Sequence, residues 1–255
     1  MIYQDYACNL AMKALSDPAS PQFVGLECEI ERLESHGDAE SLGWNVTTDG
    51  SLRNNGFEFI SKPVPVAKAS EMFQGLHGTI KLIGDDPFSQ RTSIHVHANC
   101  ANLTAQVTRN IVLMYALYEE AFFLLCSPER RDNIHCTPLT ETYLPTIYSC
   151  SLSTMISRWH KYTALNIKPL STQGTIEFRH MHGHDDTELL DEWLTVISNL
   201  ITVSKDTQVN AELLKEDKML TTFTRIFGQS RLCDDYALVR SMMTNQIIDV
   251  KLVVM

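Results

Sequence analysis

The segment Phe23–Glu31 constrains the fold more than any other stretch of this chain. Its sequence, F-V-G-L-E-C-E-I-E, alternates without a break. Val24, Leu26, Cys28 and Ile30 fall on one side of an extended backbone; Gly25, Glu27, Glu29 and Glu31 fall on the other. The pattern specifies a strand with an apolar face and an acidic face. Same-face neighbours on a strand lie about 7 Å apart, so three carboxylates repel one another unless water or a cation offsets their charge. A hard divalent ion suits them. Taken alone, the segment reads better as a half-buried strand whose polar side simply faces solvent. Its weight comes from the recurrence of the arrangement further along.

With 255 residues, 44% of them apolar, the chain has the composition of a globular protein able to bury a substantial core. The formal charge of -10 and the scatter of Lys and Arg give no basic stripe, which argues against nucleic acid as a partner. A nucleoside triphosphate remains compatible with an acidic protein when metal ions mediate the contact. The seven Cys contain no C-x-x-C pair and no secretory segment opens the sequence, so reduced thiols and a cytoplasmic location are expected. No apolar run approaches the roughly 20 residues that a membrane-spanning helix requires.

In chain order, Ile2–Leu15 reads as a weakly amphipathic helix, an N-terminal extension over residues 1–22 that ends in the Pro-rich linker Asp17–Pro21. Between Gly43 and Ser61, turns at Asp49-Gly50 and Asn54-Asn55-Gly56 separate two short strands. The second of these sets Glu58 opposite in facing to Phe57 and Phe59. Ala67–Ile83 predicts a helix. In R-T-S-I-H-V-H-A-N, Arg91–Asn99, the alternation directs His95 and His97 to one side together with Ser93 and Asn99. Two such imidazoles can share a metal, flank a ligand or serve packing.

Leu103–Ser127 is the longest helical pattern, capped by Thr104 and stopped by Pro128. Arg130 and Arg131 after it read as phosphate binders or as solvent-facing charges near a helix C-terminus. Leu139–Ser151 is loop-like, and a short helix follows from Leu152 to about His160. The strand Thr175–Arg179 turns Ile176 and Phe178 one way and Glu177 and Arg179 the other, with His180 assigned to the apolar side. Asp185 and Asp186 cap an amphipathic helix that buries Leu189, Leu190, Trp193, Leu194, Ile197, Leu200 and Ile201. Helices are expected around 211–227 and 233–243, and Ile247–Met255 as an edge strand or an oligomer contact.

The polar faces of these strands together carry Glu27, Glu29, Glu58, His95 and Glu177, with His97 and Arg179 beside them. Four carboxylates and an imidazole on one sheet face form a cage for two or more Mg2+ or Mn2+ ions, which in turn attract a polyphosphate. With Arg179 at hand to stabilise a transferring phosphoryl group, the chemistry implied is metal-assisted phosphoryl transfer.

The motifs G-L-E-C-E-I-E, D-G-S-L, G-F-E-F-I-S, H-V-H-A-N, K-Y-T-A-L-N and G-T-I-E-F-R-H, in this order across Phe23–Leu200, resemble the amidoligase family. This is a group of carboxylate–amine ligases of the glutamine synthetase and gamma-glutamylcysteine synthetase superfamily. The resemblance implies an α+β fold, a glutamine-synthetase-like curved and mainly antiparallel sheet with helices on its convex side. It implies a catalytic core over 23–203 and a helical region of the same domain over 204–255. It also implies ATP and Mg2+ or Mn2+. Glu29 and Glu58 match ligands of one ion; Glu27, His95 and Glu177 match those of another. Arg179 matches the arginine that neutralises the phosphoryl group and acyl phosphate, working beside Glu177. Nucleotide contact falls to His95, His97, Lys161 and Asn166, and substrate contact to Asp49 and Ser51. Ser61-Lys62-Pro63 and Gly183-His184-Asp185 depart from the family's usual segments.

The expected reaction joins a small-molecule or peptide carboxylate to an amine, forming ADP and phosphate, in a protein that needs no nucleic acid or membrane and can form homo-oligomers. The alternatives are a guanidino-kinase-type phosphotransferase of the same fold and a catalytically silent binding protein. A zinc hydrolase built on His95 and His97 ranks below both.

Overall fold

The computed structural model of the protein describes residues 22–139, 144 and 150–255. The expected helix at Ile2–Leu15 and most of the Leu139–Ser151 loop lie outside the described residues. In chain order the strands are β1 (Phe23–Ile30), β2 (Leu33–Ser35), β3 (Trp44–Thr47), β4 (Phe57–Ser61), β5 (Val64–Pro65), β6 (Lys81–Leu82), β7 (Ser93–Asn99), β8 (Leu165–Asn166) and β9 (Thr175–His182). The helices are α1 (Val66–Thr79), α2 (Ala105–Cys126), α3 (Leu152–Arg158), α4 (Thr187–Asp206), α5 (Glu216–Phe227), α6 (Tyr236–Met242) and α7 (Thr244–Val254). The chain divides into two compact units. The first holds residues 22–102 and Gln173–Asp191; the second holds Leu103–Thr172 and Glu192–Met255.

The first unit is built on an antiparallel sheet in the order β3-β4-β1-β7-β9, the mainly antiparallel α+β arrangement the sequence predicts. The register follows from alternation. Cys28 pairs with Phe59 on β4 and with Ile94 on β7, Leu26 pairs with Val96, and Val96 pairs with Phe178. All of these apolar residues are buried. Slipping one strand by a residue would turn its whole apolar set to the polar face, so burial of this row fixes the pairing. Helix α1 packs against β1 and buries Ala69, Phe73 and Leu76. It ends at Thr79, short of the expected Ile83, because Ile80 is already extended.

Two backbone features shape the strand ends. Asn54 and Asn55 adopt positive φ in the turn before β4, a conformation Asn tolerates better than other side chains. Gly174 enters β9 at φ +70°, where a Cβ would stand 2.5 Å from the Cβ of Ala101. Only glycine fits there without displacement.

Along β9 the pairing with β7 shifts by one residue. Val96 faces Phe178, yet Ile94 faces Met181, so Arg179 and His180 together oppose His95. This β-bulge changes the parity of the strand. His180, expected on the apolar side, falls with Arg179 on the polar side, and Met181 takes the apolar position.

In the second unit α2 is buried nearly all round, as its composition predicts, and Thr104 caps it by accepting from Val107 N at 3.2 Å. Arg130 and Arg131 differ from both readings of the sequence. Arg130 is buried, and Arg131 donates to both oxygens of Glu120 at 2.6 Å. Helix α4 is capped by Asp186, whose Oδ1 accepts from Glu188 N and Leu189 N. The C-terminal stretch is helix α7, not an edge strand. Its Ile and Val content reads as β, but Gln246 and Val250, four apart, form a buried helical face, and Gln246 Nε2 donates to Glu120 Oε1 at 2.6 Å.

Candidate active site

The polar face of the first unit's sheet gathers the residues that alternation assigns to it. On adjacent strands Glu29 pairs with Glu58, Glu27 with His95, and His97 with Glu177. Gly25, the partner of His97 on β1, carries no side chain onto this face. Cross-strand partners bring side chains within about 5 Å of each other.

At the centre is His95, which is buried. Its Nδ1 lies 3.2 Å from Glu27 Oε2 and 3.4 Å from Glu177 Oε1. One ligating atom from each of Glu27, His95 and Glu177 lies within 4.8 Å of the other two. Among the described residues this is the group of three His, Cys, Asp or Glu with the spacing of a metal site. His97 lies beside it, with Nε2 3.1 Å from Glu27 Oε1 and Nδ1 3.0 Å from Thr175 Oγ1. Arg179 donates through a guanidinium nitrogen to Glu177 Oε1.

The second carboxylate pair sits one row away. Ser93 Oγ donates to Glu29 Oε2 at 2.5 Å and lies 2.8 Å from His95 Nε2. Glu58 is half-buried, and its carboxyl is pushed up to about 7 by burial and by the charges of Glu27, Glu29 and Asp49, against the opposing influence of Arg179. Glu27 goes the other way. Burial would raise it, but hydrogen bonds and charge from His95 and His97 hold it well below the usual carboxylate range. Burial likewise lowers His97, yet Glu27 and Glu177 bring it above the ordinary imidazole value.

The expected set is thus brought together in large part. Glu27, Glu29, Glu58, His95, His97, Glu177 and Arg179 share one sheet face. Asp49 is close enough to Glu58 to raise it, and its Oδ1 accepts from Ser51 N at 2.6 Å, ordering the loop that carries both. Glu31, which follows the last residue of β1, is buried like Glu29, and its Oε1 accepts from Arg53 N at 2.7 Å, holding the same loop. Lys161 and Asn166 belong to the second unit. There Lys161 lies over the Tyr162 ring, and Asn166 Oδ1 accepts from Lys168 N at 3.0 Å. Ser93 is the polar-face residue that motif reading passed over. Its position two residues before His95 on the same face was the available signal.

The donor set fits divalent metal. Oxygen donors dominate, one imidazole joins them, and the charges of Glu27, Glu29 and Asp49, which add to burial in displacing Glu58 upward, are ones a cation would offset.

A family described as "Putative amidoligase enzyme" matches residues 26–200, more than half of the chain and the span that holds every residue of this face. The chain belongs to that amidoligase family. Among solved structures it is similar to a bifunctional glutathione synthetase from Pasteurella multocida, at 10% identity and a TM-score of 0.47, over 98% of this chain and 46% of that one. It is similar also to a novel glutamine synthase homolog, at 11% identity and a TM-score of 0.43, over 96% of this chain and 69% of the other. The chain therefore spans less than half the length of the first of these proteins. No curated protein matches the sequence. No helix among the described residues is long and apolar enough to cross a membrane.

Proposed function

We propose that the protein is an ATP-dependent carboxylate–amine ligase that forms an amide or isopeptide bond through an acyl phosphate. The observation that carries this reading is the meeting of Glu27, His95 and Glu177 on one sheet face, with the Glu29–Glu58 pair on one flank and Arg179 on the other. Glu27, His95 and Glu177 would hold one Mg2+ or Mn2+ ion, and Glu29 and Glu58 a second. Bound ions supply charge neutralisation for the crowded phosphate oxygens.

The chemistry needs such a site because a carboxylate resists attack by an amine: its oxygen is a poor leaving group. Transfer of the γ-phosphoryl group to a substrate carboxylate oxygen releases ADP and turns that oxygen into part of a good leaving group. The amine then attacks the acyl carbon, the C–O bond breaks, phosphate departs and the amine gives up a proton. Arg179, fixed against Glu177, presents a guanidinium to the negative charge that develops on the transferring group. Asp49 and Ser51, on the loop beside Glu58, are the proposed substrate contacts.

The test is incubation with ATP, Mg2+ and mixtures of amino acids and short peptides. A ligase releases ADP and phosphate only when an acid and an amine are both present, with amide formed in equal amount. A phosphorylated product without free phosphate would assign the fold to a phosphotransferase. Absence of turnover and of binding to a nonhydrolysable ATP analogue would leave an interaction protein.

A further inference from the structure

We infer that Ser93 is a positioning residue that joins the two carboxylate groups of the site and sets which nitrogen of His95 faces Glu27 and Glu177; this rests on the metal reading proposed above. A serine hydroxyl has one proton and can serve two partners only by donating to one and accepting from the other. Ser93 Oγ is 2.5 Å from Glu29 Oε2 and 2.8 Å from His95 Nε2. A carboxylate accepts and cannot donate, so the hydroxyl proton points to Glu29. The oxygen lone pair is left for His95, whose Nε2 must then carry the hydrogen.

This chain of donors, from His95 Nε2 to Ser93 Oγ to Glu29, has a consequence at the other side of the ring. In a neutral imidazole with its proton on Nε2, Nδ1 holds the lone pair. Nδ1 is the nitrogen placed 3.2 Å from Glu27 Oε2 and 3.4 Å from Glu177 Oε1. With no cation there, a hydrogen on Nδ1 meets Glu27 Oε2; a cation held by these three residues would take the Nδ1 lone pair instead and leave the ring's one hydrogen on Nε2, where Ser93 accepts it. Ser93 is 2% exposed and His95 4% exposed, so water does not compete for either bond. The same hydroxyl ties Glu29, proposed for one ion, to His95, proposed for the other. Loss of the hydroxyl would free the ring to turn or change tautomer and would release Glu29. A hydrogen bond to the non-coordinating nitrogen of a ligand histidine is commonly worth about 10–100-fold in metal affinity.

The test uses the full chain without nucleotide. Mn2+ is titrated into wild type, Ser93→Ala and Ser93→Thr by calorimetry and electron paramagnetic resonance, and thermal unfolding of the metal-free proteins is recorded. The expected result is a loss of about 10–100-fold in Mn2+ affinity for Ser93→Ala, recovery in Ser93→Thr, and metal-free unfolding that does not track the loss. Nitrogen-15 spectra of the Mg2+-loaded wild type should place the His95 proton on Nε2. Equal Mn2+ affinity in wild type and Ser93→Ala, or a proton on Nδ1, overturns the inference and leaves the metal reading standing. Absence of Mn2+ uptake by the wild type overturns the metal reading and the inference with it.

Discussion

Glu29 and Glu58 are direct partners across the β1–β4 ladder, two carboxylates in register on the same face of the sheet. Like charges so placed destabilise a strand pair. The sheet tolerates them because their reverse side is a buried apolar row, in which Cys28 meets Phe59. Burial of that row overrides the local repulsion and holds the carboxylates where a cation would find them. Burial first, and then the charges of Glu27, Glu29 and Asp49, displace Glu58 to about 7.

That displacement predicts a stability profile for the metal-free protein. The ordinary carboxylate value is 4.5, and in the fold Glu58 titrates at about 7. Between these limits the folded protein keeps a proton that the unfolded chain has released, so stability falls as pH rises through this window and levels off above it. Partial exposure of Glu58 reduces the effect to about 1–2 kcal/mol. Glu58→Gln removes it. Denaturant unfolding in EDTA at pH 5 and pH 8 should show wild type losing that much more stability than the variant. Parallel losses in the two proteins would refute the crowding.

Glu177→Gln keeps the shape of the side chain and deletes its charge. His95 Nδ1 loses one of two carboxylates, and Arg179 loses its ion-pair partner. Mn2+ affinity is expected to fall at least about 10-fold and ADP formation at least about 100-fold, with circular dichroism unchanged. Glu71→Gln is the control. Glu71 pairs with Lys68 on the exposed side of α1, and both properties should survive its loss. Wild-type turnover in Glu177→Gln would remove this face from the reaction.

The strands that build the site were legible because each obeys period-two alternation. β1 and the first half of β9 place Glu27, Glu29, Glu177 and Arg179 as read, and β7 places His95 and His97 likewise. The bulge at Arg179–His180 was not legible. T-I-E-F-R-H-M-H contains no Gly or Pro to signal a change of parity, and the shift is set by pairing with β7, a long-range contact. Helix α7 was missed for a related reason. Ile and Val suit strands, and only the burial of Gln246 and Val250 against the second unit's own elements selects the helix. Glu31 follows the last residue of β1, just before Arg32 with φ +58°, and the bond its carboxyl accepts from Arg53 N in the Asp49–Gly56 loop is a long-range contact that alternation does not signal.

Arg179→Lys separates charge from geometry. A lysine keeps the positive charge but loses the planar fork that lets one guanidinium hold Glu177 and still present donors to a phosphoryl group. Turnover should drop about 100- to 1,000-fold while Mn2+ affinity stays within about 3-fold of wild type. Single-turnover kinetics would place the loss in phosphoryl transfer. Retention of more than about half of the wild-type rate would assign Arg179 to ion pairing alone.

Gly174 is expected to be indispensable to the same face from outside it. Its φ of +70° is costly for any L side chain, and a Cβ would press into Ala101. The residue also anchors the entry to β9, since its carbonyl accepts from Cys100 N at 2.9 Å and the next residue, Thr175, meets His97 through its hydroxyl. Gly174→Ala should therefore destabilise by about 1–3 kcal/mol and loosen the His97–Glu177 row together. Gly78 provides the contrast. It lies in α1 with open space around its Cβ position, so Gly78→Ala should stabilise by about 0.5–1 kcal/mol. Urea unfolding of both variants, with Mn2+ titration of Gly174→Ala, measures this. Equal stability changes of the same sign would mean that the left-handed turn does not control the start of β9.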